Sequence, residues 1–277
     1  VRVANGSQVR GGRVSVARPP RRMIAGIQSV EYLCAFLFGR LGWNRLGGNL
    51  IISGAFGLFR RDPVTAAGGY VHDSVGEDME LVARLRRQGI ERGTPHRVEF
   101  IPDPVAWTEV PESLRVLGRQ RDRWQRGLAD VLVRNRDVLL RPRYASLGLI
   151  SLPYFVFVEL LGPIIEMVGL IGLVAGLLVG AVNGSFAILF FLVAYGVGVL
   201  LSCLTLVLDE FSFQRYTRVR DRVVLVAWAA LESFGYRQLT TFWRLRGLFK
   251  YLRGSTDWGV MTRTGFIVDE ARDVTSG

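Results

Sequence analysis

The chain has 277 residues, of which 49% are hydrophobic, and its mean hydropathy is +0.26. This composition is too apolar for an ordinary soluble enzyme and predicts that part of the chain lies in a membrane. The formal net charge of +11 suits nucleic acid, an anionic membrane surface or a phosphorylated ligand, and by itself it does not choose among them.

Residues 1–128 have the pattern of a mixed α/β segment. Short alternating strands around glycine and asparagine turns are predicted at the start of the chain, and the apolar spacing over 27–42 predicts a helix. A second helix is predicted over 76–89, and Pro111 is typical of the first turn of a third helix. Further strands are predicted within 49–62 and 96–111.

Two long apolar runs follow, at 147–182 and 186–208. Each exceeds the roughly 20 residues that are needed to cross a bilayer. Arginines follow the second run, whereas the loop between the runs is short and uncharged. By the positive-inside rule, residues 147–208 are predicted to form a transmembrane hairpin with cytoplasmic ends, after an amphipathic interfacial segment over 129–146. The front of the first run is either interfacial or a kinked extension of the span.

Residues 209–277 allow two interpretations. Their apolar part, over 223–243, is interrupted by Glu232 and followed by a basic run. A third span there would place the basic run outside, so cytoplasmic or interfacial helices with a tail are favoured, and the span is kept as the alternative. Glu159 and Glu166 also lie in an apolar segment, where an ionisable group either faces a polymer-conducting path or is solvated at the interface.

The stretch GRQRDRWQRG, residues 118–127, is predicted to lie within one helix. At about 100° per residue, Gln120, Arg123 and Trp124 fall in one stripe with apolar residues. A glutamine and an arginine in such a stripe are expected to meet something polar, because an uncompensated buried charge is costly. The opposite face, interpreted as solvated charge with some ion pairing, carries Arg115, Arg119, Asp122 and Arg126.

Each member of this trio also has a simpler explanation. Trp124 alone would be a core residue, and Arg123 a snorkelling side chain or half of a buried ion pair. Together, a guanidinium, an indole and an amide suit a sugar diphosphate, because they contact phosphate oxygens, offer a flat face to a sugar ring and fix its orientation. Nucleic acid fits poorly, since it needs arginines spread along an exposed groove with separate aromatic platforms.

Glu77 and Asp78 open the predicted helix over 76–89. Acidic residues are common at this position because they interact favourably with the helix dipole. A carboxylate at a loop-to-helix junction also suits a general base that takes a proton from an attacking hydroxyl. The pair alone leaves both interpretations open.

Two motifs together resemble those of the membrane-bound family-two glycosyltransferases, which include the cellulose, hyaluronan, chitin and poly-N-acetylglucosamine synthases. GED at 76–78 matches the family's (T/G)ED motif, and QRDRW at 120–124 matches its Q-x-x-R-W motif. SGAFGLFRRD at 53–62 and GGY at 68–70 precede the first motif, and apolar runs follow the second, as in the family. The resemblance covers nearly the whole chain. It implies an α/β fold, the C-terminal part of a Rossmann-like nucleotide-sugar transferase domain, followed by an α-helical transmembrane region with interfacial helices.

The resemblance implies catalytic roles for the first motif. Asp78 resembles the base that activates the acceptor hydroxyl for in-line attack on the anomeric carbon of a nucleotide-activated donor, which gives an inverting mechanism. Glu77 resembles its neighbour, which orients the acceptor or the helix start.

The resemblance also implies substrate-binding positions. Gln120, Arg123 and Trp124 match the residues that close over the donor diphosphate and hold the terminal acceptor sugar at the mouth of a membrane channel. Gly54 and Ala55 would allow close approach of the acceptor.

The chain departs from the family in the donor- and metal-binding positions. The family's earlier aspartates, one that binds the nucleotide base and a D-x-D pair that holds Mg²⁺ or Mn²⁺, have no match here. Because these motifs precede the matched region in the family, they are expected upstream of Val1, and the chain by itself is not expected to bind donor and metal. Cys34 and Cys203 lack metal-ligand spacing, so no metal ligand is assigned within the chain.

The motifs and the apolar runs favour a hexosyltransferase with a cytoplasmic catalytic part over 1–128 in the inner membrane. It would extend a polysaccharide processively, with coupled translocation. The expected partners are a nucleotide-sugar donor, the growing polysaccharide and the lipid bilayer, without nucleic acid, and an accessory subunit is left open. The alternatives are a non-catalytic membrane channel or scaffold and a degenerate synthase subunit.

Overall fold

The computed structural model describes most of the chain between its two ends. The predicted acceptor-site residues Gly54 and Ala55 fall outside the described residues, so their role stays a prediction. The described residues are 2–3, 7–10, 13–16, 23–52, 57–101, 108–213 and 218–255.

Four short strands form two antiparallel pairs. Strand β1 (Arg2–Val3) pairs with β4 (Thr108–Glu109), and β2 (Ser7–Arg10) pairs with β3 (Arg13–Val16). The strands predicted around a glycine turn at the start of the chain are thus confirmed for β2 and β3. Among the described residues there is no parallel sheet, so they do not show the Rossmann-like arrangement that the resemblance implies.

The described residues are mainly helical. The helix predicted from residue 76 is confirmed and begins at Glu77, directly after the glycine. The helix predicted to open at Pro111 begins at Leu114, because the Ser113 hydroxyl accepts a hydrogen bond from the Val116 N–H and caps it. In chain order the helices are α1 (Met23–Leu46), α2 (Arg61–Ala66), α3 (Glu77–Glu91), α4 (Leu114–Arg134), α5 (Leu147–Leu178), α6 (Gly184–Phe213), α7 (Val219–Leu231) and α8 (Arg237–Leu252).

Three of these helices are long and apolar enough to cross a membrane. Two of them, α5 and α6, coincide with the two apolar runs of the sequence and leave nearly all of their surface exposed. The third is α1, which the sequence pattern placed in the cytoplasmic segment as a shorter helix. About half of α1 is enclosed by the rest of the protein, whereas α5 and α6 present apolar side chains outward.

The region considered as a third span is divided between two helices. Helix α7 ends at Leu231, and non-helical backbone at Phe234 and Gly235 separates it from α8. The region 223–243 is therefore kinked, and it is not among the described helices that are long and apolar enough to cross a membrane. Helix α4 also continues across residue 128, where one predicted segment ends, and the division into domains stays a prediction.

The largest buried cluster joins α3, α4 and the start of α5. It contains Val82 from α3, Val131 from α4 and Leu152 from α5, all almost fully buried. A second cluster packs α1 against α7, and a third joins α1, α4 and the start of α8. Helices α1 and α4 each belong to two of the three clusters, and α4 is the helix that joins the largest cluster to the third.

Helix α8 packs closely along α4. A Cβ atom at Gly247 would lie 3.0 Å from the Cα of Asp122 and closer still to its backbone oxygen, so only glycine fits there. The Asp122 carboxylate, 1% exposed, accepts hydrogen bonds from Arg126 at 3.1 Å, Arg246 at 2.9 Å and Lys250 at 2.7 Å. The interpretation of the Asp122 and Arg126 face as solvated charge is therefore wrong, because α8 covers it.

Helix α8 also contacts Glu159 and Glu166 at the front of α5, the two glutamates whose surroundings the sequence analysis left undecided. Arg244 donates to Glu159 at 2.9 Å, and Thr241 donates to Glu166 at 3.1 Å. Arg244 additionally donates to Gln125 of α4 at 2.8 Å. These contacts connect α4, α5 and α8 through polar groups at the end of the apolar helix.

We expect Asp122→Asn to lower the free energy of unfolding by about 3 kcal/mol, because the buried negative charge that Arg126, Arg246 and Lys250 share would be lost. Asp137→Asn is the matched control, since Asp137 pairs with Arg87 at the surface and its side chain is 49% exposed. The control is expected to cost less than about 1 kcal/mol. Denaturant titration of the detergent-solubilised protein measures both, and equal costs would show that α8 does not depend on Asp122.

Candidate active site

The first motif lies at the amino terminus of α3, where the helix dipole stabilises negative charge. Three acidic residues occupy its first turn, and one of them, Glu80, is buried and bonded to Arg84 at 2.8 Å. Glu77 and Asp78 are partly exposed. Asp78 accepts a hydrogen bond at 2.8 Å from the N–H of Met79, which fixes its carboxylate at the helix start.

The two motifs meet through two glycines. A Cβ atom at Gly76 would lie 2.9 Å from the Cα of Gly127, and one at Gly127 would lie 2.8 Å from the Cα of Gly76. The backbone before the first motif therefore rests directly on α4. Beside this contact, Ser74 donates to Asp130 at 2.6 Å. Arg134 pairs with Asp130 at 2.9 Å, so the loop before α3 is also held by polar groups.

The second motif occupies the face of α4 that includes Gly127. Residues 120, 123 and 124 precede Gly127 by seven, four and three positions, so all share its side of the helix. Gln120 is buried, and its Oε1 atom accepts no hydrogen bond from the described residues. Arg123 is partly exposed, and Trp124 is 38% exposed. The interpretation of Trp124 as a core residue is therefore wrong.

Tyr70 is a candidate site residue to which the sequence assigned no role. Arg84 donates to the backbone oxygens of Ala67 and Gly69, at 2.6 Å for Gly69, and so holds the turn that carries Tyr70. Partial burial and the nearby charges of Asp78 and Glu77 raise the pKa of Tyr70. The half-exposed phenol ring is thus held on the turn that precedes the acidic pair in the chain. The GGY triplet was the available signal in the sequence.

Arg86 is a buried arginine that the sequence also did not single out. It donates to the backbone oxygens of Gly47 at 2.6 Å and Asn49 at 3.2 Å, and to the Ser146 hydroxyl at 3.0 Å. Burial lowers the pKa of Arg86 to about 10. Arg86 ties α3 to the loop after α1 and to the segment before α5, so the acidic pair sits on an anchored helix.

The described residues do not provide a metal centre. They contain no group of three or more histidine, cysteine, aspartate and glutamate side chains that could hold a metal ion. The assignment of no metal ligand to this chain stays a prediction.

Comparison with known proteins gives a family match and several curated relatives. The model of glycosyl transferase family group 2 matches residues 21–204. The poly-beta-1,6-N-acetyl-D-glucosamine synthase of Staphylococcus aureus (strain COL) is 30% identical over 113 residues, which are 41% of this chain and 26% of that synthase. A probable glycosyltransferase of Bacillus subtilis (strain 168), YdaM, is 27% identical over 119 residues, which are 42% of this chain and 26% of that protein.

The family match and the matches to single relatives cover different shares of the chains compared. The aligned part spans about a quarter of the length of these relatives. Comparison with solved structures finds no match. Because the family match extends over residues 21–204 of the 277, well over half of its length, the chain belongs to glycosyl transferase family group 2.

Proposed function

We propose that the protein transfers a sugar from a nucleotide-sugar donor to the end of a growing polysaccharide at the cytoplasmic face of the inner membrane. The observation that carries the proposal is the contact between Gly76 and Gly127, which brings the acidic pair next to the QRDRW helix. The family and the printed name of one relative, a poly-beta-1,6-N-acetyl-D-glucosamine synthase, support sugar transfer and a polysaccharide product.

Asp78 is the proposed general base. It lies in the first turn of α3, where the Met79 N–H holds its carboxylate, and its partial exposure lets an acceptor hydroxyl approach. Asp78 takes the hydroxyl proton, and the oxygen attacks the anomeric carbon from the side opposite the nucleotide. The bond between this carbon and the nucleotide's phosphate oxygen breaks, the nucleotide leaves with the electron pair, and the carbon is inverted. Glu77 is the proposed neighbour that orients the acceptor.

Gln120, Arg123 and Trp124 are the proposed substrate contacts. A guanidinium at Arg123 suits the donor diphosphate, because charge-assisted hydrogen bonds to phosphate are strong. The exposed indole of Trp124 and the half-exposed ring of Tyr70 suit stacking on sugar rings of the acceptor. The Oε1 of buried Gln120 finds no hydrogen-bond donor among the described residues, and it suits a hydroxyl donor from the substrate.

The membrane is part of the same proposal. Helices α5 and α6 are proposed to form a hairpin that spans the bilayer, and α8 to lie at the cytoplasmic interface. Because α8 bonds both to α4 and to Glu159 and Glu166, the motif helix is tied to the membrane region. This connection favours a processive hexosyltransferase that moves its product through the membrane. An accessory subunit stays a prediction.

Mg²⁺ or Mn²⁺ at the donor diphosphate also stays a proposal. The described residues form no site for it, so no step above passes through a metal ion. Its ligands and those of the nucleotide base are expected outside the described residues.

We expect Asp78→Asn to lower sugar incorporation by at least about 100-fold, because a general base contributes this much or more. Asp62→Asn on the exposed start of α2 is the matched control and should keep activity. Membranes with the full-length protein are supplied with radiolabelled nucleotide sugars, with activated N-acetylglucosamine first. Full activity of Asp78→Asn would refute the assignment of the base, and absence of incorporation by the wild-type protein from every donor would refute the proposed function.

We expect Gly127→Ala to lower incorporation by about 100-fold, because a displacement of 1 Å between reacting groups has costs of this order. The added methyl group would push the backbone of Gly76 away from α4. Gly172→Ala in α5, where a Cβ atom meets nothing within 4 Å, is the control and should leave activity unchanged. Both variants are compared per amount of monodisperse protein. Equal activities would mean that the contact does not set the geometry of the site.

A further inference from the structure

Arg121 lies inside the second motif at a position that Q-x-x-R-W does not specify. It is 5% exposed, and its Nη2 atom donates to the Glu31 carboxylate of α1 at 2.5 Å. The same atom donates to the hydroxyl of Tyr236 at 3.3 Å, and that hydroxyl donates to Glu31 at 2.7 Å. One arginine of α4 is thus joined to α1 and to the kink that precedes α8.

Arg121 also stacks on the proposed acceptor-binding indole. Its guanidinium carbon lies 4.4 Å from the centre of the Trp124 ring, within the range of a cation–π contact. Trp124 is 38% exposed despite this contact. The guanidinium therefore covers one face of a side chain that remains accessible to substrate.

The surroundings favour a charged and oriented Arg121. Burial lowers its pKa, but the adjacent Glu31 carboxylate more than offsets this and raises the pKa above the usual value. Its Nε atom finds no hydrogen-bond partner among the described residues, although the group is buried. A guanidinium with incomplete hydrogen bonding is held by Glu31 at one end and by the indole plane at its face.

Apolar side chains surround Tyr236, one of the hydrogen-bond partners of Arg121. Ile27, Leu117 and Trp243 form a buried cluster with Tyr236. Because charge interactions strengthen where water is excluded, the contact of the buried Arg121 guanidinium to Glu31 is expected to be stronger than a pair between two exposed groups. Groups from α1, α4 and the kink before α8 therefore meet at the guanidinium that contacts the indole.

We propose that Arg121 is a positioning residue that fixes the indole of Trp124 for the acceptor sugar, and that Glu31 and Tyr236 transmit the positions of α1 and the kink to it. This inference rests on the proposed function for its link to the acceptor. The contact between Arg121 and Trp124 itself can be tested without that function.

A double-mutant cycle tests whether Arg121 acts through Trp124. Arg121→Lys keeps the charge beside Glu31 but loses the planar stack, and it is made both in the wild-type protein and in the Trp124→Phe variant. Full-length protein is assayed with short oligosaccharides of its own product as acceptors. We expect Arg121→Lys to raise the acceptor KM about fivefold in the wild-type background and less than about twofold in the Trp124→Phe background, while the donor KM changes less than about twofold in both.

Two further variants test whether the effect on the acceptor KM is specific to Arg121 and its partners. Tyr236→Phe should raise the acceptor KM in the same direction by a smaller factor, because the Glu31 contact remains. Arg115→Lys, on an exposed position of the same helix, is the control and should change neither KM. Equal effects of Arg121→Lys in the two backgrounds, or parallel changes in donor KM and acceptor KM, would overturn the inference.

Fluorescence separates this inference from the proposed function. The emission of Trp124 is obtained as the difference between each protein and its Trp124→Phe counterpart. We expect Arg121→Lys to shift this difference spectrum and to increase its quenching by iodide, whereas Arg115→Lys leaves both unchanged. If the wild-type protein transfers no sugar, the proposed function fails, and the spectrum alone still decides whether Arg121 holds Trp124. An unchanged spectrum overturns the positioning role.

Discussion

The described structure depends on the enclosure of α4, a helix rich in charged residues, by neighbours on several sides. Each enclosed charge requires a partner, because a buried ion without one is costly. Asp122 finds three cations, two of which belong to α8, and Arg121 finds Glu31 on α1. These partners fix the rotation of α4 about its own axis. With that rotation fixed, Gly127 faces Gly76, and the two motifs meet.

The same requirement connects the candidate site with the apolar helices. Arg244 of α8 bonds at once to Gln125 of α4 and to Glu159 at the front of α5. A shift of α5 along its axis would pull on Arg244 and hence on α4. Arg86 bonds α3 to the segment before α5. The same shift of α5 would therefore also displace α3, which carries the acidic pair. The front of the apolar helix α5 and the candidate site are therefore linked by short polar contacts.

The sequence was sufficient for the motifs, for the helices that carry them and for the two apolar runs, because these are local patterns. Sequence patterns were not sufficient where the partners of a side chain come from a distant segment of the chain. A helical wheel gave the angle of Asp122 but not its partners Arg246 and Lys250, which lie 124 and 128 residues further along the chain. Trp124 was expected in an apolar stripe, yet it is exposed, because the close approach of the segment before α3 is at Gly127, almost one turn away. Charged residues interrupt the apolar residues within Met23–Leu46, so the sequence pattern predicted a shorter helix there.

The spacing of the second motif follows from how α4 is packed. Residues 121 and 122 point toward different neighbours, α1 with the kink on one side and α8 on the other. Packing occupies both of these directions, which leaves the side of α4 that faces the start of α3 for the proposed substrate contacts. Positions 120, 123, 124 and 127 share that side. The two unspecified positions of the motif thus hold the helix in place, and the specified ones occupy the side next to Asp78.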